Sequence, residues 1–136
     1  MPPLKAYLVE DSPVIRENLI AALEELAPVQ VIGTADDEST AVHWLSDSEH
    51  SCDLVIIDIF LKRGSGLGVL RSASELRKTM SLVVLSNYAT PDMRRKCLDL
   101  GASRVFDKSN EIDALISYCA RLAGGELDLG ALGSLG

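Results

Sequence analysis

Two short stretches of this sequence, Leu54–Ile57 within DLVIID and Leu82–Leu85 within SLVVLS, are apolar at every position. A strand with one wet face alternates apolar and polar residues. A continuous apolar run between polar residues needs cover on both faces, which is the situation of a central strand in a parallel sheet. Three further short runs read as strands: Ala6–Val9, Val29–Gly33 and Arg104–Asp107.

The cover comes from the segments between them. Pro13 opens a helical pattern that Asp11 or Ser12 can cap, with Ile15, Leu19, Leu23 and Leu26 on one face and Pro28 closing it. A second pattern follows Asp36-Asp37, with Ala41, Trp44 and Leu45 on one side. Leu67, Leu70, Ala73 and Leu76 mark a third. Thr90-Pro91 open a fourth, carrying Met93, Cys97, Leu98 and Leu100 and stopped by Gly101. Ile112, Leu115, Ile116, Cys119 and Leu122 line a fifth, ending at Gly124-Gly125. Five strands alternating with five helices predict an α/β, doubly wound five-stranded parallel sheet with right-handed crossovers. Residues 1–123 form this domain. The tail over 124–136, with five Gly and no periodicity, is expected to be a flexible end.

Charge and composition narrow the function. Thirteen Lys and Arg against twenty Asp and Glu leave a net charge of −7, which argues against broad binding to nucleic acid or an anionic membrane. No apolar run reaches the eighteen or so residues of a membrane span, and acids at Glu10 and Asp11 interrupt any leader-like stretch. A cytoplasmic protein is expected. Cys52, Cys97 and Cys119 show neither a paired framework nor zinc spacing, so packed free thiols are expected. His43, His50 and Cys52 have no recognised ligand spacing and read as a helix end and loop.

In such a sheet, ligands bind beyond the carboxyl ends of the strands. Those ends carry Glu10 and Asp11 after the first strand, Asp58 at the third, Ser86 at the fourth, and Lys108 after the fifth. Each has a bland explanation alone: a helix cap, a turn hydroxyl, a solvated ammonium. Together they put three carboxylates, a hydroxyl and an ammonium on one rim. Carboxylates gathered so closely repel, and without a cation at least one is driven toward protonation. The oxygen-rich set suits Mg²⁺ or Mn²⁺ together with a phosphate. A carboxylate beside such an ion can attack phosphorus and form an aspartyl phosphate, with the lysine and the hydroxyl taking other phosphoryl oxygens.

The ordered set VED, LVIIDIFLKRGSGLGVL, VVLSNYA and GASRVFDKS resembles the receiver domain of bacterial two-component response regulators, over Lys5 to about Ala123. The resemblance implies a flavodoxin-like fold with strand order 2-1-3-4-5. It makes Asp58 the phosphoacceptor, Glu10 and Asp11 the acidic pair that binds Mg²⁺, the Phe60 backbone carbonyl a further metal ligand, Ser86 the switch hydroxyl and Lys108 the phosphate-contacting lysine. The implied partner is a sensor histidine kinase or a histidine phosphotransfer protein, with catalysis limited to the domain's own phosphorylation and dephosphorylation.

This chain departs from the family pattern at several positions. Lys62 and Ser109 stand where receivers often have Pro, and Ser109 removes the usual reason for a cis peptide. Val105 takes the place of the common switch aromatic. Phe106, one residue on, points to the opposite face of the strand. Aromatics Phe60 and Tyr88 occupy both positions thought to tune phosphate lifetime. The run Met93-Arg94-Arg95-Lys96 is the densest basic cluster and lies on the face receivers commonly use for output, although a solvated helix face is the plainer reading.

Other readings compete with the phospho-switch. One is a phosphorylation-independent receiver-like interaction module. Another is a nucleotide or flavin binder, suggested by Gly64, Gly66 and Gly68, whose spacing does not match G-x-G-x-x-G. No DNA-binding segment is expected in these residues. Output then runs through a downstream protein target, through a domain outside this sequence, or through a phosphorylation-dependent dimer.

Overall fold

The two all-apolar runs lie where their composition requires, inside a sheet. The structure is a computed structural model that describes residues 3–76 and 78–124. In chain order the elements are β1 (Leu4–Val9), α1 (Pro13–Leu26), β2 (Val29–Ala35), α2 (Glu38–Ser46), β3 (Leu54–Asp58), α3 (Gly66–Glu75), β4 (Ser81–Ser86), α4 (Pro91–Asp99), β5 (Arg104–Asp107) and α5 (Ile112–Ala123). All strand pairings are parallel, in the order β2-β1-β3-β4-β5. The expected tail falls, from residue 125 on, outside the described residues.

β3 is buried along its whole length, and its side chains alternate between two cores. Val55 and Ile57 join Val9, Val84 and Val105 beneath α2, α3 and α4. Leu54 and Ile56 join Leu8, Val83 and Phe106 beneath α1 and α5. Each buried Leu, Ile or Val of this kind contributes about 1.5–3 kcal/mol relative to exposure. Central strands that serve two cores at once therefore set the frame for the helices. Val105 and Phe106 do face opposite layers, Phe106 packing on Tyr118 with ring centroids 5.8 Å apart.

The structure adjusts several sequence expectations. β1 begins at Leu4 and β2 continues to Ala35, because Lys5 and Thr34, polar residues near the strand ends, are still paired in the ladder with Gln30 and Leu8. The α1 stripe is buried only at Leu19 and Leu23, while Ile15 and Leu26 are exposed at its ends. Leu98 is exposed as well, and α4 faces the core with Cys97, supported by Met93 and Leu100. All three cysteines are buried free thiols.

The glycines of the β3–α3 loop answer to packing. Gly64 has φ +78°, a left-handed conformation, and Cβ atoms built on Gly64 and Gly68 would meet the Glu38 side chain at 2.4 and 2.3 Å. A Cβ on Gly66 would stand 2.0 Å from the Asp58 carbonyl oxygen. A carboxylate thus lies against this loop, the opposite of what a phosphate-cradling loop needs. Gly66→Ala is expected to destabilise the protein by about 2 kcal/mol or more, because the clash is with backbone that cannot step aside. A fall in the urea midpoint at unchanged m-value checks this.

Candidate functional site

Three polar residues in the described chain are buried: Glu10, Asp58 and Ser86. Parallel pairing brings them together, since every strand delivers its carboxyl end to the same rim. Register places Asp58 beside Leu85 and Ser86 beside Asp107. Lys108 follows directly, its backbone N–H donating to the Ser86 carbonyl at 2.9 Å.

Lys108 crosses the rim to the acids. Its Nζ lies 2.7 Å from Glu10 Oε1 and 3.2 Å from Asp58 Oδ2. Glu10 is tied down on its other sides. Its Oε2 accepts from Ser12 N at 3.1 Å, and its carbonyl accepts from Arg16 Nη1 at 2.9 Å. Asp11 is not the helix cap. Ser12 Oγ accepts from Ile15 N and caps α1, while Asp11 Oδ2 accepts from Lys62 N at 2.7 Å. Ligand atoms of Glu10, Asp11 and Asp58 lie within 4.8 Å of one another, the one such cluster among the described residues. Ser86 Oγ accepts from Tyr88 N at 3.0 Å, which leaves its O–H as a donor.

The electrostatics follow from this crowding. Burial pushes the Asp58 carboxyl up to about 6; Lys108 pulls it down, Glu10 pushes it further up, and burial prevails. Burial pulls the Lys108 ammonium down, but the hydrogen bond to Glu10 and the charges of Asp58 and Glu10 outweigh it and hold the group above its usual value. One ammonium therefore serves two buried carboxylates, with a third beside them. Hard oxygen donors in that excess suit Mg²⁺ or Mn²⁺, whose charge would offset both the burial and the repulsion from Glu10 that raise Asp58. The residues present fit such an ion.

The sequence model of the response regulator receiver domain matches residues 6–120. The chain belongs to the response regulator receiver family. A probable transcriptional regulatory protein of Picosynechococcus sp. is 31% identical over 123 residues, covering 87% of this chain and 48% of that protein. The receiver thus spans about half the length of the curated relatives it matches. Among solved structures, the signal receiver domain of the putative response regulator NarL from Mycobacterium tuberculosis superposes with a TM-score of 0.80 at 21% identity, covering 93% of this chain and 100% of that one. A response regulator from Burkholderia pseudomallei, solved with a phosphorylated aspartic acid, calcium ion and citrate, gives 0.73 at 17% identity, covering 90% and 69%. These likenesses establish the flavodoxin-like fold with order 2-1-3-4-5.

The receiver's structure also corrects the reading of the basic run on α4. Arg94 turns inward: Nε donates to the Ala89 carbonyl at 3.0 Å, Nη1 to the Val105 carbonyl at 2.8 Å and Nη2 to Glu111 Oε1 at 2.7 Å. It ties the β4–α4 loop to β5 and the start of α5, and only Arg95 and Lys96 are exposed. Glu38 was another residue the pattern did not single out, since an acid in the first turn of a helix looks like ordinary dipole compensation. His50 stacks on Trp44 at 4.3 Å and hydrogen-bonds the Trp44 carbonyl through Nδ1, a packing role.

Because burial raises Asp58 above its unfolded-state value, the folded protein holds a proton there that the unfolded chain has already lost. Its contribution to stability is therefore largest below the unfolded-state value of about 4 and falls as pH rises through about 6. In metal-free protein, Asp58→Asn is expected to raise stability at pH 8 by on the order of 1–2 kcal/mol, a gain that shrinks as pH falls below about 6. Urea denaturation of both proteins at several pH values checks the sign and the window.

Proposed function

We propose that this receiver takes a phosphoryl group onto Asp58 from the phosphohistidine of a sensor histidine kinase or histidine phosphotransfer protein. It is a signalling module that modifies itself and releases no product from an independent substrate. The observation that carries the reading is Lys108, its side chain almost wholly buried and held between Glu10 and Asp58 with Asp11 alongside. Glu10, Asp11, Asp58 and the Phe60 carbonyl would hold Mg²⁺ or Mn²⁺. The ion supplies charge neutralisation for an oxygen of the transferring group.

In this reaction an Asp58 oxygen attacks phosphorus as the phosphorus–nitrogen bond of the donor breaks. The electron pair returns to the imidazole, which picks up a proton from solvent. Lys108 shifts from Asp58 toward a phosphoryl oxygen while keeping its bond to Glu10, so little reorganisation is required. Ser86 donates its O–H to another oxygen, and the β4–α4 loop is drawn with it. A groove of about 500 Å³ between α1 and the start of α5, lined by Ile15, Leu19 and Lys108 among others, leaves room for a donor beside the lysine. The phosphorylated form would change protein contacts in the cytoplasm, through a downstream partner, an output domain outside this sequence or a dimer. Curated relatives named as transcriptional regulatory proteins support an output of that kind.

Intact mass after incubation with acetyl phosphate tests the chemistry. One added phosphoryl group is expected in wild type with Mg²⁺, and none in Asp58→Asn or in metal-free protein. Folded wild-type protein that also refuses a phosphorylated kinase would instead favour the phosphorylation-independent module.

Phe60 and Tyr88 stand at the rim, more than half exposed and in edge-to-face contact at 5.0 Å. Such a pair shields an acyl phosphate from water. Phe60→Asn combined with Tyr88→Ala is expected to shorten the lifetime of the phosphorylated form severalfold, as read by loss of the phosphorylated mass over time.

A further inference from the structure

The loop between β3 and α3 is held from both sides by carboxylates that grip its backbone. On one side Asp11 Oδ2 accepts from Lys62 N at 2.7 Å. On the other, Glu38 Oε1 accepts from Ser65 N at 2.8 Å, and the Glu38 N–H donates to the Arg63 carbonyl at 3.2 Å. The Glu38 side chain fills the space that Gly64 and Gly68 leave open. Phe60 precedes both attachments and is bridged antiparallel to Ser65, the residue whose amide Glu38 holds.

We propose that the Lys62 backbone N–H and the Glu38 carboxylate are positioning groups that hold the Asp11 carboxylate and the Phe60 backbone ready for the divalent cation. The inference deepens the metal-dependent reading above and rests on it. With one Asp11 oxygen bonded to an amide, the carboxylate is fixed in orientation and part of its charge is met, while the other oxygen remains for a cation. A charge-assisted bond of this kind is stronger than a neutral one. The two attachments also remove loop freedom that metal binding would otherwise have to quench. Only a residue with an amide hydrogen can make the first attachment, so proline at position 62 would abolish it.

Magnesium titrations by calorimetry on full-length chains separate these roles. Lys62→Ala and Lys62→Pro both remove the ammonium, and only the second removes the N–H. The dissociation constant of K62P is expected to exceed that of K62A by about tenfold, the scale of one hydrogen bond to a charged group. Glu38→Ala is expected to weaken binding, and Glu38→Gln, which keeps an acceptor oxygen, to restore most of it. This second pair keeps the inference testable if proline disturbs folding. In wild type the Lys62 amide should also be protected from hydrogen exchange. Equal affinities for K62P and K62A, or for E38A and E38Q, in a wild type that binds Mg²⁺ would overturn the positioning roles alone. A folded wild type that takes up no Mg²⁺ would overturn the metal reading and these roles with it.

Discussion

The Lys108 ammonium is what allows this rim to exist, because it stands 2.7 Å from one buried carboxylate and 3.2 Å from another. Removing carboxylates from water costs several kcal/mol each, and their mutual repulsion adds to that. One cation meets part of that cost for two acids, and the elevated Asp58 shows that it does not meet all of it. The rim is therefore charge-deficient by construction. A divalent ion and a phosphoryl group are two ligands whose charges would complete it together, one offsetting the acids and the other drawing Lys108.

The sheet makes that arrangement without any special loop. Parallel strands deliver their carboxyl ends to one side, and burial on both faces fixes the register through residues such as Val55, Ile56 and Ile57. A shift of one residue in β3 would exchange its two cores and carry Asp58 off the rim. The hydrophobic layers thus set the positions of the charged groups to within a hydrogen bond. Arg94 extends the same economy outward, joining Ala89, Val105 and Glu111 so that the loop after Ser86 is mechanically continuous with β5 and α5. Val105, whose carbonyl accepts from Arg94, is itself buried.

Much of this was legible in the residues alone. The all-apolar runs at Leu54–Ile57 and Leu82–Leu85 identify central strands, and the polar residues ending each strand identify the rim, because both follow from one periodicity. The opposed faces of Val105 and Phe106 follow from strand alternation. The strand ends at Leu4 and Ala35 were not legible, since polar residues near a strand end, such as Lys5 and Thr34, look the same paired or unpaired. Backbone donors escape notice for a deeper reason. Lys62 stands out in the sequence only as a residue where receivers often have Pro, yet its amide is what reaches Asp11, and an amide has no signature except that absence of proline. Ser109 behaves alike, its N–H donating to Asp107 Oδ1 at 2.7 Å, with every peptide bond among the described residues trans. Arg94 and Glu38 look like surface charges until their partners, brought near by folding, are seen.

The most direct test of the central claim asks which atom carries the phosphoryl group. Borohydride reduces an acyl phosphate to an alcohol, so an aspartyl phosphate leaves homoserine at its own position. Protein incubated with a phosphodonor and Mg²⁺, reduced and mapped by peptide mass spectrometry, should show homoserine at position 58 and nowhere else. Homoserine at position 11 or at another aspartate, or a phosphoryl group that resists reduction, would contradict the account of Asp58 as the nucleophile held by Lys108.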